Sequence, residues 1–204
     1  MRALCTATGA VLLACNLTTF AQMKVACGQA IDAPLRSKAV LTVDSRPAGL
    51  EIIGMDQETI HVSCKAENAQ DVRVQFSGNQ DDAKLTISGG STRDGNFRVR
   101  IEVPRKTSLK IKMRAGEVKV EEIAGDKDID LYAGLVTISS ARAWDYRSVR
   151  LSVDIGEVRA PEYGADKGGF FRTFTRQAAY GEYGLRAHVM TGEIELLGKD
   201  AAAE

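Results

Sequence analysis

The chain has 204 residues, and its 27 Lys and Arg side chains are balanced by 27 Asp and Glu side chains. This neutral balance excludes the basic footprint of nucleic-acid-binding proteins, so we expect no nucleic-acid partner. The length suffices for one domain with a hydrophobic core, and no Ser/Gly-rich or Gln-rich linker divides the chain.

Residues 1–21 have the pattern of an export signal. Arg2 precedes an apolar stretch that is too short, and too interrupted by Thr and Gly, to span a bilayer. The small residues of "TFA" predict cleavage after Ala21. The alternative is a lipoprotein, because "LLAC" resembles a lipobox and would leave Cys15 lipidated and membrane-anchored.

Export predicts a periplasmic or secreted location for the remaining chain. We expect residues 22–198 to form a single domain and residues 199–204 to be a disordered tail. Cleavage would leave Cys27 and Cys64, and two thiols in an oxidising compartment predict one disulfide. Alternatively, Cys64 is a small buried apolar residue of the strand "TIHVSC".

Four segments share one ten-residue pattern, in which apolar positions alternate on both sides of a glycine. They are IKMRAGEVKV, IDLYAGLVTI, LSVDIGEVRA and AHVMTGEIEL, with glycines Gly116, Gly134, Gly156 and Gly192. Period-two alternation predicts strands. The parity of the alternation shifts at the glycine, which indicates a bend or bulge that glycine permits by adopting positive φ.

The structural glycines follow one another at intervals of 18, 22 and 36 residues. A period near 18 to 20 is typical of stacked β-repeats, so we predict an all-β fold, specifically a β-solenoid of glycine-bent turns. The double interval predicts one degenerate turn between Pro161 and Leu185. "PAGLEII" near Gly49 is interpreted as a diverged capping turn. A β-sandwich is the alternative architecture, because short alternating strands also build sandwiches.

The order of these segments resembles the bacterial envelope family called "putative adhesins", a β-strand-repeat domain of unknown function. The resemblance rests on "RIEVPRKTSLKIKM", then "AGEVKVEEIAGDKDIDLYAGLVTI", then "TGEIELLG", and runs from about Gly49 to Gly198. It implies a right-handed β-helix-like fold on the outer side of the inner membrane, and it implies no activity.

Residue patterns of catalysis and metal binding are missing from the sequence. The two histidines, His61 and His188, occupy alternate positions in apolar strands, and no nucleophile elbow accompanies them. Asp126, Asp128 and Asp130 lie on one strand face but lack the pattern of a calcium loop. We therefore expect no enzyme, no metal and no cofactor.

A basic stripe is the first candidate binding surface. Its residues are Arg98, Arg100, Lys110, Lys112 and Arg114. If their two strands pair through the "PRKT" turn, the five cations share one outer face and could hold an anionic glycan or lipid head groups. The alternative is that they protect exposed strands from aggregation.

Aromatic residues between Tyr163 and Tyr183 form the second candidate surface. Phe170, Phe171, Phe174 and Tyr180 could contact a glycan, a membrane surface or an envelope protein. The alternative is that these rings fill the degenerate turn and cap the stack.

The predicted function is a non-catalytic, exported envelope protein that acts in adhesion, surface binding or scaffolding. Two alternatives remain open. One is a β-helix enzyme acting on polysaccharide, and the other is a partner or sensor in an envelope stress system.

Overall fold

The structure, a computed structural model, describes residues 20–65, 72–89, 97–139 and 145–198. Strands account for most of these residues, which confirms the all-β class. The expected tail and the signal segment up to residue 19 lie outside the described residues. The strands are β1 (Phe20–Ala26), β2 (Ile31–Pro34), β3 (Val40–Met55), β4 (Thr59–Lys65), β5 (Arg73–Gly78), β6 (Asp82–Ser88), β7 (Arg98–Pro104), β8 (Ser108–Glu121), β9 (Lys127–Ser139), β10 (Tyr146–Ala160), β11 (Ala165–Gln177) and β12 (Tyr183–Leu196).

One sheet contains the described strands, in the order β1-β5-β6-β3-β8-β9-β12-β10-β11. The long strand β3 is the branch point. One of its edges pairs with β8, whereas the other pairs first with β6 and then with β7, which is followed by β4 and β2. The sheet therefore divides into two branches beyond β3.

The other side of β3 is a block of parallel strands in register, β3-β8-β9-β12-β10. The last strand in sequence, β12, lies between β9 and β10, so spatial order departs from chain order. The expected degenerate turn between Pro161 and Leu185 is wrong. A 3-10 turn at Pro161–Tyr163 instead reverses the chain, and β11 runs antiparallel along β10 with Gly169 opposite Gly156.

Each long strand of this block changes face in its middle. In β8, Met113 and Val118 are both buried, although five positions separate them and strict alternation would place them on opposite faces. We call the part before this change the first limb and the part after it the second limb. The cross-strand register skips one residue per strand there. From β8 to β11 these residues are, in spatial order, Arg114, Tyr132, Met190, Asp154 and Phe171, and we call them the corner row.

The repeated glycines lie beside the corner row and are cross-strand neighbours. Gly116 is opposite Gly134, Gly134 opposite Gly192, and Gly192 opposite Gly156. Their φ angles are 127°, 137°, 142° and 140° in that order. A Cβ atom on Gly134 would overlap the carbonyl oxygen of Gly116, so both the backbone angle and the space require glycine.

A disulfide joins the two branches beyond β3. Cys27, just after β1, and Cys64 in β4 are bonded, with their Cα atoms 5.0 Å apart and a sequence separation of 37. Closing a loop of this length stabilises the fold by about 3–4 kcal/mol in the chain-entropy model.

One lysine lies inside the core. Lys127 is 2% exposed, and its Nζ donates hydrogen bonds to the carbonyl oxygens of Ile123 at 2.8 Å and Gly125 at 2.9 Å. The same nitrogen lies 5.0 Å from the ring centre of Tyr146. Burial lowers the pKa of Lys127 from 10.5 to about 7, because the charged ammonium loses its hydration.

Gly134→Val tests the requirement for glycine at the bend. We expect the free energy of unfolding to fall by more than about 1 kcal/mol, since valine meets both unfavourable φ and backbone overlap. Urea denaturation measures the change. Gly168→Val is the matched control, because its φ is not in the positive range and an added Cβ would meet only Glu157 Cγ, at 4.0 Å. Equal losses in the two variants would contradict the argument.

The lowered pKa of Lys127 predicts how stability depends on pH. Between about pH 7 and 10.5 the unfolded chain holds a proton on Lys127 that the folded chain has released, so stability rises with pH there. The difference in unfolding free energy between wild type and Lys127→Met should change by on the order of 1 kcal/mol per pH unit across this window. Parallel pH profiles of the two proteins would refute the prediction.

Candidate functional site

Exposed apolar side chains of the described residues concentrate at the corner row. Six large apolar residues are exposed, and five of them lie in that row or next to it on four neighbouring strands, the sixth being Tyr180. The five are Tyr132, Ile155, Phe170, Phe171 and Met190. A concentration of exposed apolar side chains on one part of a surface is typical of interaction sites.

Phe171, on this surface, has a positive φ angle, which is unusual for a residue other than glycine. Its φ is 52° and the residue is 79% exposed, so little burial offsets a conformation that bulky residues avoid. Unfavourable backbone conformations of this kind cluster at functional sites. The strain therefore marks Phe171 as a candidate binding residue.

A shallow groove runs beside the corner row on the outer face of the first limbs. It consists of two depressions of about 380 and 550 Å³, which share Asp154 and His188 in their linings. Tyr132 lines the first depression and Phe171 lines the second. An aromatic ring thus stands toward each end of a polar centre.

His188 occupies that centre, between two carboxylates. Its Nδ1 lies 3.2 Å from Oδ1 of Asp130 on β9, and its Nε2 lies 3.4 Å from Oδ1 of Asp154 on β10. Both ring nitrogens therefore face carboxylate oxygens. The imidazole is thus held between two neighbouring strands, β9 and β10.

The three carboxylates of "DKDID" all contact β12. Asp126 accepts a hydrogen bond from the Gly184 amide at 2.6 Å, Asp128 pairs with Arg186, and Asp130 faces His188. No group of three metal-ligating side chains occurs within the described ranges. In this structure the motif holds β12 in place beside β9.

The basic stripe is divided between two surfaces. The expected pairing of its two strands is wrong, because β7 and β8 pair with opposite edges of β3. Arg98 and Arg100 lie opposite the second limb of β3. Arg100 forms ion pairs there with Glu51 at 3.3 Å and with Glu102 at 2.9 Å. Lys110, Lys112 and Arg114 belong to the first limb and corner of β8. Binding of an anionic surface by these residues stays a prediction.

The aromatic insert also separates into two groups. Phe174 packs against Tyr163 with ring centres 5.6 Å apart, and the Arg176 guanidinium lies 4.5 Å from the Tyr163 ring centre. Both rings are partly buried and pack against the core. The remaining candidates, Phe170, Phe171 and Tyr180, are exposed.

Three groove residues outside the predicted surfaces, Tyr132, Asp154 and Met190, share one sequence signal. Like Arg114 of the basic stripe, each lies two positions before a repeat glycine. Aligning the repeats on their glycines therefore places these four residues in one column. The contacts of His188 had no such signal, because they depend on β12 lying between β9 and β10.

Comparisons with known proteins give one distant structural neighbour. No family model and no curated protein matches the chain. A crystal structure described as a "putative cell adhesion protein" from Clostridium sporogenes is similar, with a TM-score of 0.48 and 15% sequence identity. The similarity covers 84% of this chain and 99% of that one. Within the part of the chain that the structure describes, no helix has the length and apolar character needed to cross a membrane.

Phe171→Gly tests whether the corner holds backbone strain. Removing a left-handed Phe relieves about 1–2 kcal/mol, while the added freedom of Gly in the unfolded chain costs about 0.5–1 kcal/mol. We therefore expect an unfolding free energy equal to that of the wild type or higher by up to about 1.5 kcal/mol. Phe170→Gly is the control, since Phe170 is similarly exposed without positive φ and should lose stability. A Phe171→Gly loss as large as that of the control would contradict the strain.

Proposed function

We propose that this protein is a non-catalytic, exported binding module of a bacterial envelope. The observation that carries the proposal is the groove of Tyr132, His188 and Phe171 on the outside of a rigid block of parallel strands. Binding sites are often built in this way, with a few aromatic and polar groups fixed on a well-ordered scaffold. The disulfide and the signal-like residues 1–21 support export.

The proposed architecture is a β-solenoid whose stacked strands present equivalent repeat positions side by side. Five parallel strands in register and the row of glycines at their bends support it. In such a stack each corner residue has a counterpart about one strand spacing away, or roughly 4.8 Å. A repeated surface of this kind suits an extended ligand.

The arrangement of the polar centre supports binding over catalysis. His188 and its cross-strand neighbour Ser152 would need a free imidazole nitrogen to act as a base and nucleophile. Asp154 instead faces Nε2, and Asp130 faces Nδ1. The same imidazole, lying between Asp130 and Asp154, also disfavours their use as a glycosidase acid and nucleophile, since it pairs with both.

Cosedimentation with envelope material tests the proposal. The full chain, as isolated from the cells that produce it, is mixed with purified cell-wall sacculi and with envelope vesicles from those cells. We expect it to pellet with one of these fractions. Tyr132→Ala should weaken binding by about tenfold, since aromatic anchors commonly contribute more than 1 kcal/mol.

Tyr180→Ala provides the control, because Tyr180 is an exposed aromatic residue that does not line the groove. It should leave binding unchanged. A chain that remains in the supernatant with every fraction would contradict the binding role. Equal binding by wild type and Tyr132→Ala would place the contact elsewhere on the protein.

A further inference from the structure

The two aromatic ends of the groove stand at a defined separation. Tyr132 is on β9 and Phe171 on β11, and the strands between them are β12 and β10. Three strand spacings place the two corner positions roughly 14 Å apart. The groove therefore spans more than one ring-sized group, so its ligand must be elongated.

Charges in the groove are close to balanced. Its carboxylates are Asp44, Asp130 and Asp154, and its cationic side chains are Lys112, Arg114, Arg150 and Arg186 beside His188. Of these, Arg186 already pairs with Asp128, and His188 faces two of the carboxylates. Because neither sign dominates, a ligand with a strong net charge would meet repulsion at some point along the groove.

We propose that the groove binds a neutral oligosaccharide segment of an envelope polysaccharide. The inference rests on the binding role proposed above and names its ligand class. Each sugar hydroxyl both donates and accepts, so it satisfies carboxylates and guanidinium groups alike. The apolar faces of two sugar rings stack on Tyr132 and Phe171, and the polar side chains of the groove form hydrogen bonds with the sugar hydroxyl groups.

The surface beyond the corner argues against an anionic membrane. Its second limbs carry Glu157, Glu193 and Glu195 around a single arginine, Arg159, which lies 2.8, 2.9 and 3.4 Å from them. Anionic head groups approaching the apolar corner would also approach this acidic cluster. The net repulsion disfavours that surface as the ligand.

Addition of a partner strand at β11 is also disfavoured. Within the described chain β11 pairs only with β10, so its other edge is free. Lys167, Arg172 and Arg176 stand opposite the buried Val158, Val153 and Val149, which places three cations on the core face of this edge strand. Inward-pointing charges of this kind prevent edge-to-edge pairing in natural sheets.

Affinity electrophoresis in native gels tests the ligand class. The gels contain one soluble polymer each: hydroxyethyl cellulose, laminarin or dextran as neutral probes, and polygalacturonate or heparin as anionic probes. We expect at least one neutral polymer to retard the full chain, with little dependence on salt because no net charge is neutralised. Tyr132→Ala and Phe171→Gly should each weaken that retardation by about tenfold, and Tyr180→Ala should not.

The other outcomes overturn the inference in distinguishable ways. Retardation by anionic polymers alone, lost in high salt and insensitive to Tyr132→Ala, would assign the ligand to the basic residues. Retention of envelope cosedimentation with no retardation by any neutral polymer would leave the binding module standing with a different ligand, such as a protein. Loss of both signals would overturn the proposed function as well.

Discussion

The close approach of backbones at the glycine row is the constraint on which the rest of the structure depends. Gly134 accommodates the carbonyl oxygen of Gly116 where any side chain would overlap it, and Gly192 does the same for Gly134. Because each contact fixes the register of two neighbouring strands, the row aligns the whole parallel block. A slip of one residue would exchange buried and exposed faces throughout a strand.

Because the strands are in register, residues at the same position of each repeat lie side by side and form one surface. Inside the protein, this alignment places the apolar residues of the limbs in continuous rows. Lys127 is accommodated among them because its Nζ donates hydrogen bonds to the carbonyl oxygens of Ile123 and Gly125 and lies over the ring of Tyr146. Outside, the alignment places corner residues of different chemical character next to one another. The same strand alignment therefore builds both the core and the candidate site.

Local pattern was sufficient to predict the strands of the four repeats and their bends, because alternation and glycine conformation are properties of short segments. It did not predict β11, which lies where a degenerate turn was expected. The cysteine pair was predicted from the expected export and from the small number of thiols. Pairing partners were harder to predict. Strand β7 and strand β8 are joined by a short turn, which suggested a hairpin, yet both prefer long parallel registers with β3. The groove depends on β12 lying beside β10, and nothing in the sequence near His188 specifies that neighbour.

The position of β12 also has a consequence for how the molecule assembles. The last of the described strands is a central strand, and β9 and β10 both pair with β12 and not with each other. A nascent chain emerging from its N-terminus would carry two unpaired strand edges until its last turn arrived, and such edges invite aggregation. Completion of the fold is therefore a late, long-range event, which slows folding and couples the appearance of the His188 contacts to an intact C-terminal strand.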